Sequence, residues 1–182
     1  SNTVVEIDAA LARLARELCD VPKAPRVKIR VGEAREVTES LRPGSFDVVI
    51  RDVFSGSTTP SPLCTQEFFQ AVARSMQSSG IVLVNCAARS SLNHARSEAA
   101  TLASVFSNVG LIADHTVLKG KRGGNIIFLA SNNPLPRRNS PAATTLGAEV
   151  MRGQVPAHYM DLSWVERFAS GGEVLRDPVP SG

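Results

Sequence analysis

An α/β layer fold with a mostly parallel sheet is what this 182-residue sequence predicts, and three observations predict it. Short apolar or β-branched runs alternate with segments whose apolar residues recur at helical spacing. Two of those runs, Phe46–Ile50 and Ile81–Cys86, read as strands buried on both faces, the pattern of a parallel sheet. The last two runs flank the turn Lys119-Gly-Lys-Arg-Gly-Gly124, which suits an antiparallel hairpin.

Each element has its own local reason. Thr3 to Ile7 is β-branched and apolar, and Asp8 can cap a helix in which Leu11, Leu14, Ala15 and Leu18 recur at helical spacing until Pro22 and Pro25 close it. Arg26 to Val31 alternates charged and apolar residues as a strand does. Gly32 breaks it, and Glu36 to Leu41 is expected as a short helix ended by Pro43-Gly44. After the strand Phe46–Ile50 comes a polar loop, Val53 to Pro62. Thr65 then starts a helix to about Gln77, Ser78-Ser79-Gly80 is expected as a turn, and Ile81 to Cys86 as a strand. Leu92 to Asn108 reads as a helix, and Leu111–Leu118 with Asn125–Ala130 as the hairpin. A terminal hairpin on an otherwise parallel sheet marks methyltransferase-type Rossmann folds, so a Rossmann-like class I methyltransferase sheet is expected over residues 1–132. Residues 133–182 read as a Pro- and Arg-rich linker and a partly helical tail packed on that domain, with weak helices at Ala142–Arg152 and Leu162–Ala169 and no further strand.

Composition narrows the function. With 43% hydrophobic and 20% charged residues the chain can bury a sizeable core. No apolar run approaches the roughly 20 residues of a membrane span, and no signal segment is visible, so a cytoplasmic location without membrane contact is expected. Cys19, Cys64 and Cys86 are odd in number and far apart, which argues against disulfides and a Cys-based zinc site and reads as three buried thiols. A net charge of +3 with 5% aromatics offers no basic stripe with interleaved rings, so no nucleic acid is expected. His94, His115 and His158 are too dispersed to suggest a metal set.

In an open α/β sheet, ligands bind beyond the carboxyl ends of the strands, and there the acids gather. Glu6 and Asp8 follow the first strand, Glu33 the second, Asp52 the third. Glu6 has the two oxygens a vicinal ribose diol needs, or else serves with Asp8 only to cap a helix. Glu33 follows a glycine that lets the backbone come close to a ligand such as an adenine. Asp52 opens the ten-residue loop. It could attract a cationic amine and accept its proton, or it could cap the amides of Phe54 or Ser55.

The segments Val4-Val5-Glu6-Ile7-Asp8, Val31-Gly32-Glu33-Ala34, Ser45-Phe46-Asp47-Val48-Val49-Ile50-Arg51-Asp52 and Ser79-Gly80-Ile81-Val82-Leu83-Val84 together resemble the polyamine aminopropyltransferases, the spermidine and spermine synthases. Asp52-Val53-Phe54-Ser55-Gly56 with Pro60, Leu63, Thr65, Glu67 and Phe68 is similar to bacterial synthase-like proteins, some of which carry membrane segments upstream. The resemblance spans about Val4 to Asn132. It implies aminopropyl transfer from decarboxylated S-adenosylmethionine to a diamine such as putrescine, releasing methylthioadenosine. It assigns Asp52 as the base, Glu6, Asp8, Gly32, Glu33 and Ala34 to the nucleotide, and Ser55 to the amine site in place of the family's second acid. No metal or prosthetic group is implied, because the sulfonium is already an activated leaving group. The family's glycine-rich first strand and loop, and its N-terminal β-hairpin domain, would precede residue 1. Two other functions fit the same fold: a small-molecule methyltransferase using S-adenosylmethionine, and a catalytically silent nucleoside-binding or interaction domain.

The absence of that first strand carries an expectation about assembly. It would normally lie between the strands Val4–Ile7 and Phe46–Asp52, so these either pair directly or leave an open slot. A slot implies a homodimer, with Met151, Tyr159, Trp164 and Phe168 of the tail as the covering element.

Overall fold

The computed structural model describes residues 1–179. Contacts divide it into two compact units, Ser1–Leu41 and the chain from Arg42 onward.

The first unit is two βα turns. Strand β1 (Asn2–Glu6) pairs in parallel with β2 (Val27–Val31), Glu6 opposite Val31. Between them runs α1 (Ala9–Leu18), whose first-turn amides of Ala10 and Leu11 donate to the Asp8 carboxylate at 2.7 and 3.1 Å. The Arg16 guanidinium ties the return of the chain, donating to the Val27 carbonyl at 2.7 Å. Helix α2 (Ala34–Glu39) follows, earlier than the expected Glu36, because Glu33 already caps it through the Glu36 amide at 3.0 Å. Gly32 stands where a Cβ would lie 2.9 Å from Val37 Cγ2, so its small size is already required by the packing of α2.

The second unit is a five-stranded sheet ordered β3-β4-β6-β5-β7. Strand β3 (Phe46–Arg51) pairs in parallel with β4 (Met76–Ala88), while β6 (Gly124–Ser131) lies antiparallel between β4 and β5 (Asn108–Ala113). Strands β3, β4 and β5 therefore share one direction and β6 runs against them, as the expected hairpin requires. The helix α3 (Gln66–Ser75) begins at Thr65, whose hydroxyl accepts from the Phe68 amide. It packs the fully buried Phe69 and Val72 into the core with Val82 and Val84 of β4. Helix α4 (Asn93–Ala103) covers the sheet with the buried faces of Ala95, Ala99 and Leu102.

Several expectations are corrected. Ser78-Ser79-Gly80 is strand, not turn, because β4 begins directly at the end of α3. Residues 115–118 form a one-turn helix, α5 (His115–Leu118), rather than the end of a strand. Asp114 stops β5 there: its carboxylate takes both the hydroxyl (2.5 Å) and the amide (2.6 Å) of Thr116, and those bonds hold it down to about 2. Strand β3 is not buried on both faces: β4 is its only partner strand among the described residues, and Val48 and Ile50 are 49% and 67% exposed.

The tail after residue 132 contains helix α6 (Pro141–Met151), helix α7 (Leu162–Ala169) and one unexpected strand, β7 (His158–Met160), which pairs antiparallel with β5. Gly110 makes room for it, since a Cβ there would lie 2.9 Å from the Tyr159 ring. Tyr159 donates its hydroxyl to the Pro136 carbonyl, and Phe168 is buried with the Arg96 guanidinium 4.8 Å from its ring centroid. These aromatics thus serve the β5 side of the sheet and not the open edge of β3 that they were expected to cover.

Candidate active site

In the first unit the register of β1 and β2 brings Glu6, Asp8, Gly32, Glu33 and Ala34 to one edge, where the Gly32 amide donates to the Glu6 carbonyl at 3.0 Å. All three carboxylates accept backbone amides: Glu6 from Asp8 at 2.8 Å, Asp8 from Ala10 and Leu11, Glu33 from Glu36. The capping roles weighed for Glu6 and Asp8 are therefore real. They leave lone pairs over, because an ionised carboxylate offers about four acceptor sites, so the edge still fits a ligand with hydroxyl or amino donors.

In the second unit, β3 ends on two side chains pointing opposite ways. Asp52 is exposed, and its Oδ1 accepts from the Asn85 side-chain amide at 2.9 Å. It does not hold the Ser55 amide; that group donates to the Thr58 carbonyl at 2.8 Å. Ser55 and Thr58 close a tight two-residue turn in which Gly56 has φ +62°, a conformation that favours glycine. Ser55 thus sits exposed beside Asp52 in the chain, on a turn of its own.

Arg51 turns inward and is 3% exposed. One guanidinium nitrogen donates to Thr59 Oγ1 and to the Asn85 carbonyl, both at 2.8 Å, and the other to Glu98 of α4 in a buried ion pair. The residue that holds Asp52 is in this way itself held, and the far part of the polar loop is fixed with it. Sequence reasoning missed Arg51, Asn85 and Glu98, which lie 34 and 47 positions from Arg51 along the chain.

Next to this network a cavity of about 380 Å³ is lined by Thr58, Thr59, Cys64, Arg89, His94 and Arg176, among others. Cys64 and Cys86 are buried as expected, and burial, helped by the nearby Glu98 charge, pushes the Cys64 thiol up to about 12 and the Cys86 thiol up as well. Cys19 is exposed, which corrects its reading as a buried thiol. The histidines are less dispersed than their spacing suggested: pairing of β5 with β7 brings the His115 and His158 rings to 5.3 Å. No helix among the described residues is long and apolar enough to cross a membrane.

No protein-family model matches the chain. Among solved structures it is similar to a probable spermidine synthase from Corynebacterium glutamicum ATCC 13032, at 49% identity and a TM-score of 0.94 over 100% of this chain and 65% of that one. Among curated proteins it is 24% identical over 167 residues to the N-terminal histidine N-methyltransferase of Emericella nidulans, covering 88% of this chain and 30% of that protein. It is 26% identical over 140 residues to the polyamine aminopropyltransferase of Vibrio vulnificus (strain CMCP6), covering 75% of this chain and 44% of that protein. The chain thus spans less than half the length of these curated relatives. Its α/β architecture is the class I methyltransferase fold that such proteins share. In sequence and backbone together the chain is thus similar to a spermidine synthase and has the class I methyltransferase fold.

Proposed function

We propose that this chain carries the catalytic part of an aminopropyl transfer from decarboxylated S-adenosylmethionine to a small-molecule amine. The observation that carries the reading is Asp52: an exposed carboxylate at the carboxyl end of β3, oriented by Asn85 at 2.9 Å, in a spermidine synthase-like chain. An ammonium cannot attack carbon until it loses a proton, and a carboxylate attracts the cation and accepts that proton. The amine nitrogen then forms a bond to the aminopropyl carbon as the carbon–sulfur bond breaks, and the electron pair leaves with sulfur in neutral methylthioadenosine. No residue here needs to activate the leaving group, so the protein's task is to place the amine and exclude water. Glu6 and Glu33, with Asp8, Gly32 and Ala34, are the residues we assign to the nucleoside, through the lone pairs their caps leave free. Ser55 would line the amine side without supplying a second anion, which favours acceptors of lower charge than a long polyamine.

The experiment is to incubate the protein with putrescine or another small amine and with either the decarboxylated or the intact donor. Methylthioadenosine from the decarboxylated donor supports the reading. S-adenosylhomocysteine from the intact donor would replace it with methyl transfer, and binding of neither donor would replace it with an interaction domain. We further propose a homodimer formed through the open edge of β3, where Val48 and Ile50 are exposed. A monomer by light scattering at every concentration would reject it.

A further inference from the structure

The polar network behind Asp52 holds a set of side chains that the transfer reaction does not use. Cys64 follows the short turn of 3₁₀ helix at Ser61–Leu63, and His94 and Glu98 lie one helical turn apart on α4, hence on one face of it. One ligand atom from each, the Cys64 sulfur, a His94 ring nitrogen and a Glu98 carboxylate oxygen, lie within 4.8 Å of one another. Cys64 and His94 also line the 380 Å³ cavity. Glu98 is fully buried, and while one of its oxygens takes the Arg51 guanidinium, the other is buried with no nitrogen or oxygen donor, its carboxylate beside the weakly donating Cys64 and Cys86 thiols. A buried carboxylate oxygen left without a partner is costly, and natural structures leave few of them.

We propose that Cys64, His94 and Glu98 form a binding site for a divalent cation of the zinc class, with a fourth position open to the cavity. The donor set decides the class. One thiolate, one imidazole and one carboxylate suit zinc or cobalt, whereas magnesium and calcium take oxygen ligands. Zinc bonds of about 2.0–2.3 Å in a tetrahedron set ligand atoms roughly 3.3–3.8 Å apart. The set must therefore close by about an ångström, and His94, which is exposed, is the member free to move. Arg51 acts behind Glu98 as an outer-shell partner, fixing one carboxylate oxygen and leaving the other for the metal. Binding displaces the Cys64 proton to solvent: the sulfur–hydrogen bond breaks, the sulfur–metal bond forms, and no electron changes owner. With the thiolate and the carboxylate the divalent ion is neutralised, and Arg51 is balanced by a hydroxide or an anionic group at the open position.

Titration of the metal-free protein with cobalt(II) tests this directly, because a cobalt–thiolate bond gives a charge-transfer absorption that oxygen and nitrogen ligands do not. The expected result is one equivalent of cobalt bound with that absorption, displaced by zinc. Cys64→Ser should abolish the band while Cys19→Ser and Cys86→Ser keep it. His94→Gln, at an exposed position, should weaken binding by more than the ~10- to 100-fold typical of outer-shell changes. The proposal is overturned if no charge-transfer band develops, if the band survives Cys64→Ser, or if His94→Gln binds as tightly as the parent.

Discussion

The acids at the strand ends of the first unit and those of the second differ in what holds them. Glu6, Asp8 and Glu33 accept amides two or three residues ahead in the chain. Asp52 accepts from Asn85, 33 positions away, and Glu98 pairs with Arg51 across 47. A local cap serves the helix it starts, so its loss is felt as stability. Exposed Asp52, presented by a distant side chain, starts no helix, so its loss is expected as function, whereas Glu98, buried within α4, answers to Arg51 and its loss is expected as stability. The two edges look alike in sequence and divide by what happens when each acid is removed.

The sharpest test of that division is Asp52→Asn. It should lower turnover by ~10²- to 10⁴-fold, the usual loss of a general base, with nucleotide affinity and unfolding midpoint nearly unchanged. An equal drop in nucleotide affinity would merge the two edges. Next comes Arg51→Met, which strands the Glu98 carboxylate in the interior and should cost about 3–5 kcal/mol in denaturant unfolding. Pairing it with Glu98→Leu should recover most of that loss, and failure to do so would mean that the network, not the lone charge, carries the stability. Asp8→Ala should cost only about 0.5–2 kcal/mol, the range for a lost N-cap, and weaken donor binding while leaving turnover at saturating donor intact. The smallest effect concerns the tail. Tyr159, the chain's single tyrosine, is pushed up to about 12 by burial and then by Asp161, so its phenolate absorbance should develop well above the ordinary value near 10. Because the folded value is the higher one, the associated stability is whole below pH 10 and is lost as pH rises from 10 towards 12. Titration near 10 in the folded protein would show that β7 leaves Tyr159 open to water.

What was legible in the sequence follows the same local and distant divide. Asp8 and Thr65 were readable as caps because the amides they serve lie within three residues, and the apolar runs placed β1, β2 and β3 within a residue but only the later part of β4, from Ile81 to Cys86. Asp52 stood out because it closes an apolar run and opens a polar loop. Residues 115–118 misled because Thr116 and Val117 have strand propensity, while a single short-range carboxylate at Asp114 overrode it. Strand β7 is only three residues long, too short for any periodicity, and exists through its pairing with β5. Arg51 with Glu98 left no trace in any window. The helical spacing of His94 and Glu98, four apart, was the one signal from which part of that cluster could have been found.

The position of Arg51 also bears on the order in which the molecule forms. Its two terminal guanidinium nitrogens find their acceptors only when Thr59, Asn85 and Glu98, contributed by a loop, a strand and a helix, have all arrived. Contacts that close such long stretches of chain are entropically expensive to make early. The ion pair should therefore form after the barrier to folding, so that Arg51→Met leaves the refolding rate nearly unchanged and appears almost wholly as faster unfolding. Stopped-flow chevrons in which refolding slows in proportion would place the ion pair in the nucleus instead. With the pair formed late, the loop that follows Asp52 is the last part of the sheet edge to settle and the first to open, a kinetic gate set by a buried cation rather than by a hinge.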